Sequence, residues 1–231
     1  MHTNKTNEVK EINEVKEIKE IREKELLEQA TEWRLISLLF ECPKDDWKQK
    51  VKALAKEVKD PDLKIAAKAA QKEATEGLYH SILGPGGPAP AREISYSSGW
   101  TQAGYLMSEL GAYYQAFFYQ PITKEPSDHI SVEAGFISYL RLKEAYALAC
   151  EAEEEIAITA QAAKKFIAEH LNIIAEPLAE IMSNIEVDYL DYTAKALLKR
   201  VGACQHKSLP VYQSMPENDS CEFSCAIEPE N

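Results

Sequence analysis

Glu125-Pro126-Ser127-Asp128-His129, with Glu133 one turn further on, is the densest gathering of reactive side chains in the sequence. Carboxylates beside an imidazole can exchange protons, activate a nucleophile, ligate a metal or pair with a cation. A hydrolase would need a nucleophile oriented by the histidine and donors for the oxyanion. Ser127 is adjacent only along the chain, no Gly-x-Ser-x-Gly elbow occurs, and no cysteine lies near this stretch. A metal set of Glu125, Asp128, His129 and His170 lacks any His-x3-His or Glu-x2-His support. The chain is therefore expected not to be an enzyme. Carboxylates that pair with guanidinium forks remain the simplest chemistry.

Pro126 breaks a helix, so Glu125–His129 is a hinge between two helical patterns. Ser127 or Asp128 is expected to cap the second of them. His129 would then sit in a first turn, where the helix dipole opposes its protonation and neighbouring carboxylates favour it. A capped helix with a satisfied histidine uses the same residues.

The elements around the hinge are helical throughout. In residues 8–22, Val9, Ile12, Val15, Ile18 and Ile21 recur every third position. Each step of three falls about 60° short of a turn, so no fixed stripe forms, and residues 1–24 are expected to be a frayed, charged helical extension. Helical spacing is firm from Glu25, with a first helix ending by Pro43 and a second capped by Asp45 or Asp46. A third opens at Pro61 and runs to Ile82. Gly84-Pro85-Gly86-Gly87-Pro88-Ala89-Pro90 then excludes regular structure, without the spacing of a phosphate-binding loop. Residues 98–119 form an aromatic helix, mostly core, with Trp100 and Tyr105 partly exposed. The last clear helix ends at Val201, with Gly202 as its cap. The expected organisation is all-α: a single helical domain over 25–202 with long irregular loops, and a disordered tail over 203–231. In that tail Cys204, His206, Cys221 and Cys225 could ligate a metal, but their spacing is not finger-like.

The net charge of −12 argues against nucleic acid and suits a basic peptide. No apolar signal core, membrane-length run or Arg-Arg pair is visible, so a cytoplasmic protein without its own twin-arginine signal is expected. Five cysteines in such a chain read as free thiols.

Glu125-Pro126-x-Asp128-His129 between helices, in an acidic helical chain, resembles the signature of the TorD/DmsD/NarJ-type chaperones of molybdoenzymes. Ile82-Leu83-Gly84-Pro85-Gly86, with Pro90, Glu93, Ser95 and Tyr96, is loosely similar to a second family segment. Ala91 and Arg92 depart from it, where members often carry proline and an aromatic. The resemblance spans about residues 25–202. It implies a chaperone that binds the apo catalytic subunit of a molybdopterin-dependent oxidoreductase and its twin-arginine leader, assists cofactor insertion and delays export. It implies client contacts at Glu125, Pro126, Asp128, His129, Gly84, Pro85, Tyr96, Trp100 and Tyr105. It implies no resident cofactor beyond transient molybdopterin or guanine nucleotide, and a monomer or homodimer. The competing expectation is a helical adaptor with a redox- or metal-responsive cysteine tail.

Overall fold

The computed structural model describes residues 2–97 and 102–202, the side chains of 2–15 and 102 excepted. Trp100 and the tail residues Cys204, His206, Cys221 and Cys225 lie outside the described residues.

Neither proline nor glycine occurs before Pro43, and the first helix, α1, runs unbroken over His2–Leu39. The triplet run is thus a helical extension continuous with the domain's first helix. Ile18 and Ile21 stay exposed, as a winding apolar pattern requires, but Lys19 reaches Glu151 at 2.8 Å and Arg22 reaches Glu144 at 3.4 Å. Helix α2 is Trp47–Glu57; Asp46 precedes it, yet its carboxylate pairs with Lys50 rather than capping. Helix α3, Pro61–Glu73, has the expected proline in its first turn, and Asp60 accepts from the amides of Asp62 and Leu63.

The sequence pattern carried this helix through to Ile82, but it ends at Glu73. Ala74 is extended, and Thr75 caps a new helix, α4 (Glu76–Leu83), by accepting from the Leu78 amide. Alanine-rich periodicity cannot reveal such a break, whereas a β-branched hydroxyl at an N-cap can make one. The Gly/Pro segment then folds back along the end of α4, with Ala89 N–H donating to Ile82 C=O at 3.1 Å and Ala91 N–H to Leu83 C=O at 3.2 Å.

Gly84, just past the end of α4, has no room for a side chain, because a Cβ would press into the His80 carbonyl; Gly77, inside α4, faces open space. Gly84→Ala is therefore expected to lower stability by about 1–3 kcal/mol, while Gly77→Ala raises it by about 0.5–1 kcal/mol. Paired thermal melts check both signs.

A short 3-10 turn, Glu93–Tyr96, leads to α5, Gln102–Ala116. After the hinge, α6 (Ile130–Ala149) is buried on every side over its first half. A helix apolar all round belongs in the interior, and α1 and α7 (Glu153–Phe166) flank it. Gly135 leaves its space to neighbouring side chains: a Cβ there would meet the Tyr119 hydroxyl at 2.6 Å and Ser37 Oγ at 3.2 Å. Ser37 and Ser138 fasten α1 to α6, donating to the carbonyls of Ser131 and Ala30 at 2.7 Å each. Phe136 anchors the core, 4.8 Å from Phe166 and 5.0 Å from Tyr114 between ring centres.

A π-helical turn, Ile167–Leu171, joins α7 to α8, Asn172–Met182, which contains Pro177. Helix α9, Asp188–Val201, closes the chain's described part and ends at Gly202 in a positive-φ conformation. Lys199 and Arg200 tie it to Asp60 at 3.0 and 3.2 Å. The fold is all-α, with no strand and no helix long and apolar enough to cross a membrane among the described residues.

Candidate functional site

The Gly/Pro loop and the hinge form one unit. Glu93 N–H donates to the Asp128 carbonyl and Ile130 N–H to the Ala91 carbonyl, both at 2.8 Å, making a short antiparallel bridge between Arg92 and His129. The Arg92 guanidinium grips the Asp128 carboxylate through Nε at 2.9 and 3.1 Å and Nη2 at 2.8 Å. Asp128 is fully buried, while Arg92 keeps 44% of its side chain exposed. Arg92, the departure from the family-like segment, is thus the residue that locks loop to hinge. Its signal was present as an unexplained basic residue, but its partner was not legible.

Asp128 and Ser127 do not cap α6. Arg92 draws the Asp128 carboxylate away, and the Ser127 carbonyl accepts from the Tyr114 hydroxyl at 2.8 Å. His129 caps instead: Nδ1 accepts from the Ser131 amide at 3.2 Å and lies 2.7 Å from its hydroxyl. These contacts assign the ring proton to Nε2. Nε2–H donates to the Tyr79 hydroxyl at 3.1 Å, which donates in turn to Glu125 at 3.3 Å. The competing influences on His129 resolve against charge: burial, then the nearby Arg92 cation, pushes its pKa down to about 3. Glu125 is half-buried at the outer end of this relay, and Pro126 is exposed. Tyr79 carried no sequence signal, because nothing along the chain places α4 against the hinge.

Beneath the hinge lies a second polar group. Glu133 is fully buried and neither carboxyl oxygen has a donor. Burial, then the charges of Glu93 and Asp128, raises its pKa well above the usual carboxylate range, so it keeps its proton and can donate it to Glu93. Glu93, also buried, accepts from His170 Nδ1 at 3.2 Å. The same burial and negative surroundings push the Tyr114 hydroxyl up.

Of the other expected client contacts, Gly84 and Tyr96 are buried, Pro85 is exposed, and Tyr105 is 71% exposed. Structure therefore brings Glu125, Asp128, His129 and Gly84 to one region, but turns Asp128 and His129 inward.

The open surface lies elsewhere. A groove of about 630 Å³ runs between the end of α5, the second half of α6 and α7, lined by Phe118, Leu142, Tyr146 and Ile158. Phe118 and Tyr146 are 84% and 74% exposed. Phe118 leaves the helix expected over 98–119, adopting positive φ after Ala116, and so points away from the core. Glu155 lines the groove, and Glu153 and Glu154 precede it in the exposed, acidic first turn of α7. The exposure of Leu142, Tyr146 and Ile158 could not be read from spacing, since the same pattern serves a core face.

Fold and site together define an all-α protein whose polar hinge is internally satisfied. Comparison with known proteins adds no relative: no family model fits the chain and no curated protein matches it.

Proposed function

We propose that this protein is a cytoplasmic chaperone that acts by binding, not catalysis, and holds the unfinished catalytic subunit of a molybdopterin-dependent oxidoreductase by its twin-arginine leader. The observation that carries this reading is the exposed apolar groove beside the Glu153–Glu155 run. A leader pairs two arginines with an apolar stretch. Guanidinium forks match carboxylates, and the apolar stretch matches Phe118, Leu142, Tyr146 and Ile158. The hinge motif supports the same class, with Glu125 and Pro126 as its accessible members and Asp128 and His129 as its internal frame.

A synthetic peptide carrying Arg-Arg followed by an apolar stretch, titrated into the full chain by fluorescence anisotropy, tests this. Ile158→Glu should weaken binding at least tenfold with an unchanged helical signal, because it places a charge in a desolvated contact. Replacing the arginines by lysines should weaken it as well. A peptide that binds the variant as tightly as the parent removes the groove from the reading, and a molybdoenzyme subunit absent from pull-downs removes the client.

A further inference from the structure

We propose that Glu109, Glu169 and His170 form a binding site for a divalent transition-metal ion, held from behind by Glu93. One ligand atom from each of the three lies within 4.8 Å of the others. They come from different elements: Glu109 from α5, and Glu169 and His170 from the π-helical turn. All three line a cavity of about 280 Å³, with Glu93 on its wall.

His170 is the informative residue. Its ring is buried against Phe166, 4.6 Å between centres, and Tyr113, 5.6 Å. Nδ1 is committed to Glu93 at 3.2 Å, so Nε2 is the nitrogen left for other use. That Nε2 is buried and has no hydrogen-bond partner. A buried imidazole nitrogen left so is costly, and ionised carboxylates cannot donate to its lone pair. A cation satisfies it. Carboxylate–histidine–metal is the arrangement in which the outer carboxylate fixes the tautomer and raises ligand basicity. Tyr113 supplies a second outer contact, donating to Glu169 at 2.8 Å.

Charge points the same way. Glu93, Glu109 and Glu169 surround the cavity, and the cation nearest Glu169, Lys165, sits at 3.7 Å on the exposed face. Ligand bonds of about 2.0–2.2 Å give tetrahedral edges near 3.4 Å, which a modest inward swing of Glu109 and the exposed Glu169 supplies. One imidazole and two carboxylates suit manganese, iron, cobalt or zinc, with positions left for water. The other His/Cys/Glu cluster, Cys42, Glu76 and His80, differs in being open to solvent, and Lys44 already holds Glu76 at 2.8 Å.

The test is Mn(II) titrated into metal-free full-length protein, read by loss of the free-ion paramagnetic resonance signal. Thiolates favour softer metals, so this probe reports the oxygen–nitrogen site rather than the cysteines. The expected result is uptake of one equivalent, weakened tenfold or more by Glu109→Gln and by Glu169→Gln. Glu93→Gln, which does not touch the metal, should weaken it roughly 10–100-fold. Circular dichroism of Glu109→Gln, a part-exposed helix position, should match the parent. No uptake by the parent overturns the proposal. So does uptake that survives Glu109→Gln and Glu169→Gln but is lost in Cys42→Ser or His80→Gln.

Discussion

Arg92→Ala is expected to lower stability by about 2–4 kcal/mol, because it strands the buried Asp128 carboxylate without its counter-charge. For a chain of this size that corresponds to a melting temperature lower by roughly 6–12 °C. Exposure of Arg92 sets the lower end, since water can partly replace the guanidinium. Arg92→Lys should recover only part of the loss, as one ammonium cannot reproduce contacts from both Nε and Nη2. The double variant Arg92→Leu/Asp128→Leu should be less damaging than Arg92→Ala, because removing both charges leaves no unpaired ion. Equal melting temperatures for Arg92→Ala and the parent would show that the ion pair does not hold loop to hinge. The same burial bears on function: Asp128→Ala with His129→Ala should destabilise the fold, so lost client binding in that variant would not by itself identify a contact.

Glu133→Gln is expected to change how stability depends on pH. His129 has a folded pKa of about 3 against 6.5 in the unfolded chain. Its contribution is therefore fully present above pH 6.5 and is lost as pH falls toward about 3. Glu133 is opposite in sign. Its folded pKa is raised above 4.5, so its contribution is present below pH 4.5 and lost as pH rises through the folded value. Between pH 4.5 and 6.5 the two slopes oppose one another for as long as Glu133 keeps its proton in the folded chain. Glutamine keeps the shape and can still donate to Glu93, but cannot ionise. The variant should show the His129 slope alone, about 1.4 kcal/mol per pH unit across that window. It should gain on the parent as pH rises. Urea midpoints at several pH values measure this, and parallel profiles for parent and variant would refute the opposing titrations.

Local rules in the sequence determined the all-helical fold, the proline-opened third helix, the interrupted Gly/Pro loop and the glycine that ends the last helix. Each rests on periodicity, a missing amide hydrogen or backbone freedom within a few residues. The importance of Glu125–His129 was legible too, because polar residues packed around a proline are conspicuous in a chain. Their orientation was not. Whether Asp128 faces solvent or Arg92 depends on a residue 36 positions away, and whether His129 carries a proton depends on burial that only packing creates. Likewise Tyr146 and Ile158 obey the spacing of a core face, yet the groove leaves them open. His170 reads as one histidine near a helix end until tertiary structure sets Glu93 on Nδ1 and brings Glu109 and Glu169 within 4.8 Å of the ring's ligand atoms. Pairing between distant side chains and the loss of water around them are properties of the assembled fold, and they decide which charges act outward and which hold the protein together.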